Sequence, residues 1–194
     1  RFIFASNHPL GALDGVALIR FFGHFYSGKI KFLVNDLLMH IKPLAPVFLP
    51  INKYGSQAKE SSLQINNAYE SDEQMLIFPA GLCSRLQHGK IKDLEWKKTF
   101  IAKAVQSQRD IIPIYFEGRN STFFYRFAQI RKCIGLKFNI ELIYLPDEMF
   151  NSKNKTFDIY IGKPIPWQTF DKSKSLQEWA QIVKEKVYQI KKNQ

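Results

Sequence analysis

The sequence predicts an α/β protein, with a mainly parallel central sheet flanked by helices in three layers. Short apolar, β-rich runs alternate with helix-length stretches along the chain. Strands separated by helices need crossover connections, which join parallel neighbours and cover both sheet faces. No repeat, linker or low-complexity stretch divides the 194 residues, and 45% hydrophobic with 23% charged residues suits one domain with a buried core.

The elements follow in order. Residues 1–6 form an apolar strand that gives way to a turn at Asn7. Residues 13–26 are apolar nearly all round, as a buried helix is, and contact with an acyl chain or membrane is the other use of such a helix. Strand 29–34, helix 35–42 and strand 47–51 come next, then helix 56–71 and strand 74–79. Helix 97–109 precedes strand 111–117. Residues 121–134 mix Phe123, Phe124, Tyr125 and Phe127 with Arg126, Arg131 and Lys132. Aromatics beside long cations mark an interfacial helix, and equally a core helix with a solvated basic edge. Strands 137–145 and 156–162 and helix 175–191 complete the chain, several helices opening with Asp, Ser or Asn near the cap.

The 28 Lys+Arg against 17 Asp+Glu leave a formal charge of +11, which calls for an anionic partner: nucleic acid, an acidic membrane face or a phosphorylated ligand. The aromatics sit in apolar runs, and no helix-turn-helix, zinc or ribonucleoprotein motif is present, which argues against nucleic acid. A non-catalytic basic module binding an anionic membrane surface or nucleic acid is the alternative to an enzyme. No run of about 18 apolar residues exists to span a bilayer. Cys83 and Cys133 are far apart, and His8, His24, His40 and His88 show no ligand spacing, so no metal and a reducing compartment are expected. An α/β-hydrolase is excluded by the missing Gly-x-Ser-x-Gly elbow. The opening at Arg1, without Met and inside a strand, reads as a fragment lacking its N-terminal segment.

Chemistry concentrates in Asn7-His8-Pro9-Leu10-Gly11-Ala12-Leu13-Asp14-Gly15. A histidine held by a carboxylate at a strand-to-helix turn is a general base for a hydroxyl nucleophile. A merely hydrogen-bonded turn uses the same residues. A second cluster runs Phe78-Pro79-Ala80-Gly81-Leu82-Cys83-Ser84-Arg85, where Gly81 lets a ligand approach the backbone. Ser84 and Arg85 there offer a hydroxyl and a guanidinium fork to an anion. Between the two, the strand 47–51 leads to Asn52 and Lys53, and Asp110-Ile111-Ile112-Pro113 opens a further strand toward Glu117-Gly118.

In this order the segments resemble the four sequence blocks of the glycerolipid acyltransferase superfamily, which includes lysophosphatidate (1-acylglycerol-3-phosphate) acyltransferases. The resemblance runs from Phe2 to about Pro166 and implies a glycerol-3-phosphate acyltransferase-like fold. It implies His8 as base and Asp14 as its partner, with substrate contacts from Asn7, Gly11, Asn52 and Lys53. From the third block it implies Phe78, Pro79, Ala80, Gly81, Leu82, Ser84 and Arg85, with Lys97 or Lys98 as further anion holders. No cofactor is implied: acyl-CoA or acyl-carrier protein is a co-substrate, and a lysolipid is the acceptor. Three departures stand out. Five residues separate His8 from Asp14, where the superfamily usually has four, so Gly11 must absorb one more in the turn. The usual third-block glutamate is Ala80 and the second block lacks its arginine, which together tilt the acceptor from a phosphate toward an aminolipid, with lysophosphatidate and lyso-aminolipid both open. With Trp96-Lys97-Lys98-Thr99-Phe100 and Glu117-Gly118-Arg119-Asn120-Ser121, the chain looks like a bacterial subfamily often labelled hemolysin, related to ornithine- and glycine-lipid O-acyltransferases. Such an enzyme is expected as a peripheral, monotopic protein on the cytoplasmic face of the inner membrane.

Overall fold

The computed structural model describes residues 1–34, 42–51, 56–136 and 138–191. Strands β1 (Phe2–Ser6), β2 (Ile30–Val34), β3 (Phe48–Pro50), β4 (Gln74–Ile77), β7 (Asp110–Phe116) and β8 (Ile159–Ile161) form one sheet in the order β3-β2-β4-β1-β7-β8. The pairings from β3 through β7 are parallel, and β8 runs antiparallel along the edge of β7. β1 is therefore central, with β4 and β7 beside it in the registers Ala5↔Ile77 and Ser6↔Ile114. The carboxyl ends of β1, β4 and β7 converge, the place where open α/β sheets carry their sites.

The two-residue period of the strands divides the core. Phe4, Phe32, Leu76 and Ile112 pack on one face against Leu18, Ile19 and Phe22 of α1 (Leu13–Phe25), with Phe4 and Phe22 stacked at 4.1 Å. Ile3, Met75 and Ile111 pack on the other face against three helices: α2 (Ser56–Glu70), α3 (Thr99–Ser107) and α6 (Leu176–Ile190). The predicted three layers are thus present. α1 is a core helix along Leu18 and Phe22, while Phe25 at its end is exposed. Arg109, fully buried, donates to the carbonyls of Ala68, Tyr69 and Ser71 and so closes the C-terminal end of α2.

Two parts of the sequence reading need correction. The strand predicted at 137–145 is absent from its described part, 138–145: Ile140–Tyr144 is a 3-10 helix running into α5 (Leu145–Phe150). Pro146 stands in the first turn of α5 with Asp147 and Glu148, a helix-opening composition, and Glu141 is drawn inward by two arginines. A hairpin was also missed, β5 (Arg85–Gln87) and β6 (Lys90–Lys92), whose turn residues His88 and Gly89 both have positive φ. The predicted helix 35–42 lies outside the described residues except Lys42, which opens a 3-10 helix, Lys42–Val47. Among the described residues no helix is long and apolar enough to cross a membrane.

Candidate active site

Beyond Ser6 the chain leaves the sheet, but the side chain of Asn7 continues the ladder. Its amide donates to the Phe116 carbonyl at 2.9 Å and accepts from the Phe116 N–H at 2.6 Å. Asparagine supplies both functions, so the turn is fixed to the end of β7. His8 follows, and its Nδ1 lies 3.0 Å from Oδ2 of Asp14 in the first turn of α1. Asp14 has no exposed surface; Oδ2 also accepts from the N–H groups of Leu10 and Gly11, and Oδ1 accepts from Gly15. Every partner of the carboxylate is a donor, which assigns the imidazole proton to Nδ1 and leaves a lone pair on Nε2. Among the described residues no hydrogen bond engages Nε2, and the His8 side chain keeps 14% exposure. Gly11 has φ +80°, and a Cβ there would come within 3.0 Å of Cys83 and Leu145. The longer His8–Asp14 turn is thus closed by a left-handed glycine.

Because β4 adjoins β1, Phe78 stacks on the His8 ring, centroids 3.9 Å apart at 16°. The main chain of His8 is clamped as well. Ser84 N–H donates to the His8 carbonyl at 2.7 Å, and His8 N–H donates to Oδ1 of Asp93 at 3.2 Å. Ser84 Oγ donates to the same oxygen at 2.5 Å, while the Trp96 indole N–H donates to Oδ2 at 2.8 Å. Asp93 is 1% exposed, and burial pushes its carboxyl above the usual range, against the pull of hydrogen bonds from Ser84, Trp96 and His8. Sequence reasoning missed Asp93. A carboxylate two residues before Lys/Glu-rich chain carries no local pattern, and only the buried Trp96 three positions on hints at a partner.

The other predicted residues separate into groups. Asn52 and Lys53 lie outside the described residues. Pro79 is buried and its carbonyl accepts from Lys97 N–H, Leu82 is half-buried, and Ala80 is packed in the core. Gly81 lies beneath the Lys97 ammonium, which would be 2.9 Å from a Cβ at that position. Ser84, expected to meet an anion, is buried and donates to Asp93 instead. Arg85 is likewise engaged internally. Its guanidinium pairs with the fully buried Glu141 at 2.8 Å, donates to Cys83 Sγ and lies over the Phe124 ring. Arg131 of α4 (Thr122–Cys133) meets the other Glu141 oxygen at 2.8 Å, a charge contact without hydrogen-bond alignment. Arg85→Ala should therefore lower stability by about 2 kcal/mol in a urea titration, as expected for loss of a charged hydrogen bond. An unchanged midpoint would free Arg85 from this role. Burial raises the Cys83 thiol to about 11, so it is protonated at neutral pH and no nucleophile. Among the described residues no group of three His, Cys, Asp or Glu comes together to hold a metal ion.

The acyltransferase family profile matches residues 1–194. The chain belongs to this acyltransferase family. It is 57% identical over 189 residues to the lyso-glycine lipid O-acyltransferase of Bacteroides thetaiotaomicron, covering 97% of this chain and 70% of that protein. To the lyso-glycine lipid O-acyltransferase of Phocaeicola vulgatus it is 55% identical over 187 residues, covering 96% of this chain and 67% of that one. The crystal structure of the 1-acyl-sn-glycerophosphate (LPA) acyltransferase PlsC from Thermotoga maritima superposes with a TM-score of 0.55 at 18% identity. That likeness, one of fold, covers 98% of this chain and 66% of that structure. The acyltransferase chain thus shares the glycerolipid acyltransferase superfamily fold and spans about two thirds of each of these relatives.

Proposed function

We propose that the protein transfers a fatty acyl chain from acyl-CoA or acyl-carrier protein to the hydroxyl of a lyso-aminolipid of the glycine-lipid type. The observation that carries this is His8, with Nδ1 bound to Asp14 and Nε2 unengaged. As the acceptor oxygen attacks the thioester carbonyl, its proton passes to Nε2, and the C–S bond breaks as the ester C–O bond forms. The imidazolium, steadied by Asp14, then protonates the leaving thiolate. Such base catalysis contributes about 10²–10⁴-fold. No acyl-enzyme is needed, in keeping with the buried, protonated Cys83.

Ala80 and Lys97 support the acceptor assignment. Where the superfamily carries a carboxylate, Phe78-Pro79-Ala80-Gly81-Leu82 here is uncharged, and the exposed Lys97 ammonium lies over Gly81. A positive group suits the carboxylate of a glycine headgroup or the phosphates of the donor. Lys97→Ala should accordingly raise KM for one of the two substrates about tenfold with little change in kcat. An unchanged KM for both would return Lys97 to the solvated surface. Lys53 and Asn52 are proposed substrate contacts as well, and the enzyme is proposed to work as a peripheral protein on the cytoplasmic face of the inner membrane.

The test is transfer itself. Purified protein with acyl-CoA and lyso-glycine lipid should release free thiol and form the diacyl lipid, and cells lacking the gene should accumulate the monoacyl form. Absence of both, with folded protein and either carrier, would favour a non-catalytic lipid-binding module.

A further inference from the structure

Helix α4 is apolar on two faces. Phe124, Tyr125 and Ala128 are buried on one face. Phe123, Phe127, Ile130 and Ile134 stand at i, i+4, i+7 and i+11 and so share a second stripe turned away from the first. Phe123, Ile130 and Ile134 in that stripe are exposed, at 54%, 58% and 66%. Buried Phe124 and internally paired Arg131 drop out of the contact surface that the sequence suggests for residues 121–134.

The stripe continues into the segment that follows. Tyr144 meets the Phe123 and Phe127 rings edge-on at 5.1 and 5.5 Å, and Phe123, Tyr144 and Phe150 border one surface hollow. Phe150 on that hollow is 72% exposed, and in the same segment of chain Phe138 and Ile143 are 81% and 75% exposed. So many large apolar side chains exposed on α4 and the segment after it mark an interaction surface. Arg126, beside Phe127 on α4, is an exposed cation, as are Lys153 and Lys155 in the chain just past Phe150; Asp147 and Glu148 also line the hollow, Glu148 being held by Ser121. The segment is also fixed to the candidate active site. Glu141 is ion-paired to Arg85 beside the third block, and Leu145 closes on Gly11 in the His8–Asp14 turn.

We propose that this stripe, with Phe138, Ile143 and Phe150, is a rigid platform that docks on an anionic lipid bilayer and presents the bilayer to the His8 turn. Exposed apolar side chains flanked by Arg126, Lys153 and Lys155, on a chain of net charge +11, fit a bilayer with acidic headgroups. The choice of a bilayer over a second copy of the chain rests on the acyl-transfer reading, whose substrate and product are lipids; the location of the platform does not.

The protein should sediment with phosphatidylglycerol–phosphatidylcholine vesicles, and the Ile143→Asp/Phe150→Asp double variant should lose about tenfold or more of that binding. Ile130→Asp, on the helix itself, should do the same independently. Raised salt should weaken binding without abolishing it, because only the cationic part is screened. Both variants should keep the parent's thermal midpoint and its turnover on detergent-dispersed lysolipid, while losing turnover on vesicle-borne lysolipid. Undiminished vesicle binding by folded variants would overturn the platform, as would a dimer of the parent that the variants dissolve while still binding vesicles. Intact, variant-sensitive vesicle binding by a protein with no transferase activity on any presentation would support the platform and count against the proposed reaction alone.

Discussion

His8→Ala should cut acyl transfer by at least about 10²-fold while leaving the fold in place. The expectation follows from how the histidine is held. Its main chain is fixed through backbone groups, by Ser84 on the carbonyl and Asp93 on the N–H, and neither bond needs the imidazole. Removing the ring takes away the Phe78 stack and the Asp14 bond, but Asp14 keeps three backbone donors. Asp14→Asn should be comparably damaging by a different route. The amide can keep its oxygen toward His8, Leu10 and Gly11 only by turning its nitrogen against the Gly15 N–H, donor against donor, and without a negative charge it no longer stabilises the imidazolium. The double variant should be little worse than either single one, since the two residues act as one unit. Thiol release from acyl-CoA measures all three, with far-UV circular dichroism to verify folding. Near-full activity of folded His8→Ala protein would end the proposed mechanism.

Much of this was legible because it is local. The alternation of strands and helices, the His8–Asp14 spacing and the Gly11 turn depend on neighbours within a few residues, where periodicity and turn chemistry speak directly. What failed depends on distance. Arg85 and Ser84 have the residue types of anion ligands, yet Glu141 lies 56 positions from Arg85 and closes it off. Nothing in Ile140–Tyr144 announces that its acidic residue will be pulled inward, so the apolar run looked like a strand. The aromatic stretch 121–134 admitted core and interface readings because α4 is both, with a stripe on each side. The hairpin turn His88-Gly89 did carry a local signal, a pair suited to positive φ, but the flanking runs are three residues each and too polar to stand out.

Asp93 is the residue whose loss should matter most after His8 and Asp14, and for positioning rather than chemistry. Asp93→Ala would leave the His8 N–H, the Ser84 hydroxyl and the Trp96 indole without their acceptor, each at about 1–3 kcal/mol, so a stability loss on the order of 4 kcal/mol is expected. Asp93→Asn is the sharper variant. Its oxygen can still serve His8 and Ser84, but its amide nitrogen then faces the Trp96 N–H, donor against donor. Adding Trp96→Phe removes that conflict and should recover part of the lost stability and kcat, with KM little changed throughout. The pH dependence gives an independent reading. Because burial raises the folded pKa of Asp93 above that of the unfolded chain, the folded state binds the proton more tightly. Its contribution to stability is greatest below the unfolded value and is lost as pH rises through the raised folded value, then stays flat. Thermal midpoints of Asp93→Asn measured across the acidic range should lack that decline. If Asp93→Asn alone matches the parent in kcat and in its midpoint–pH curve, the clamp on the His8 main chain does not set the base in place.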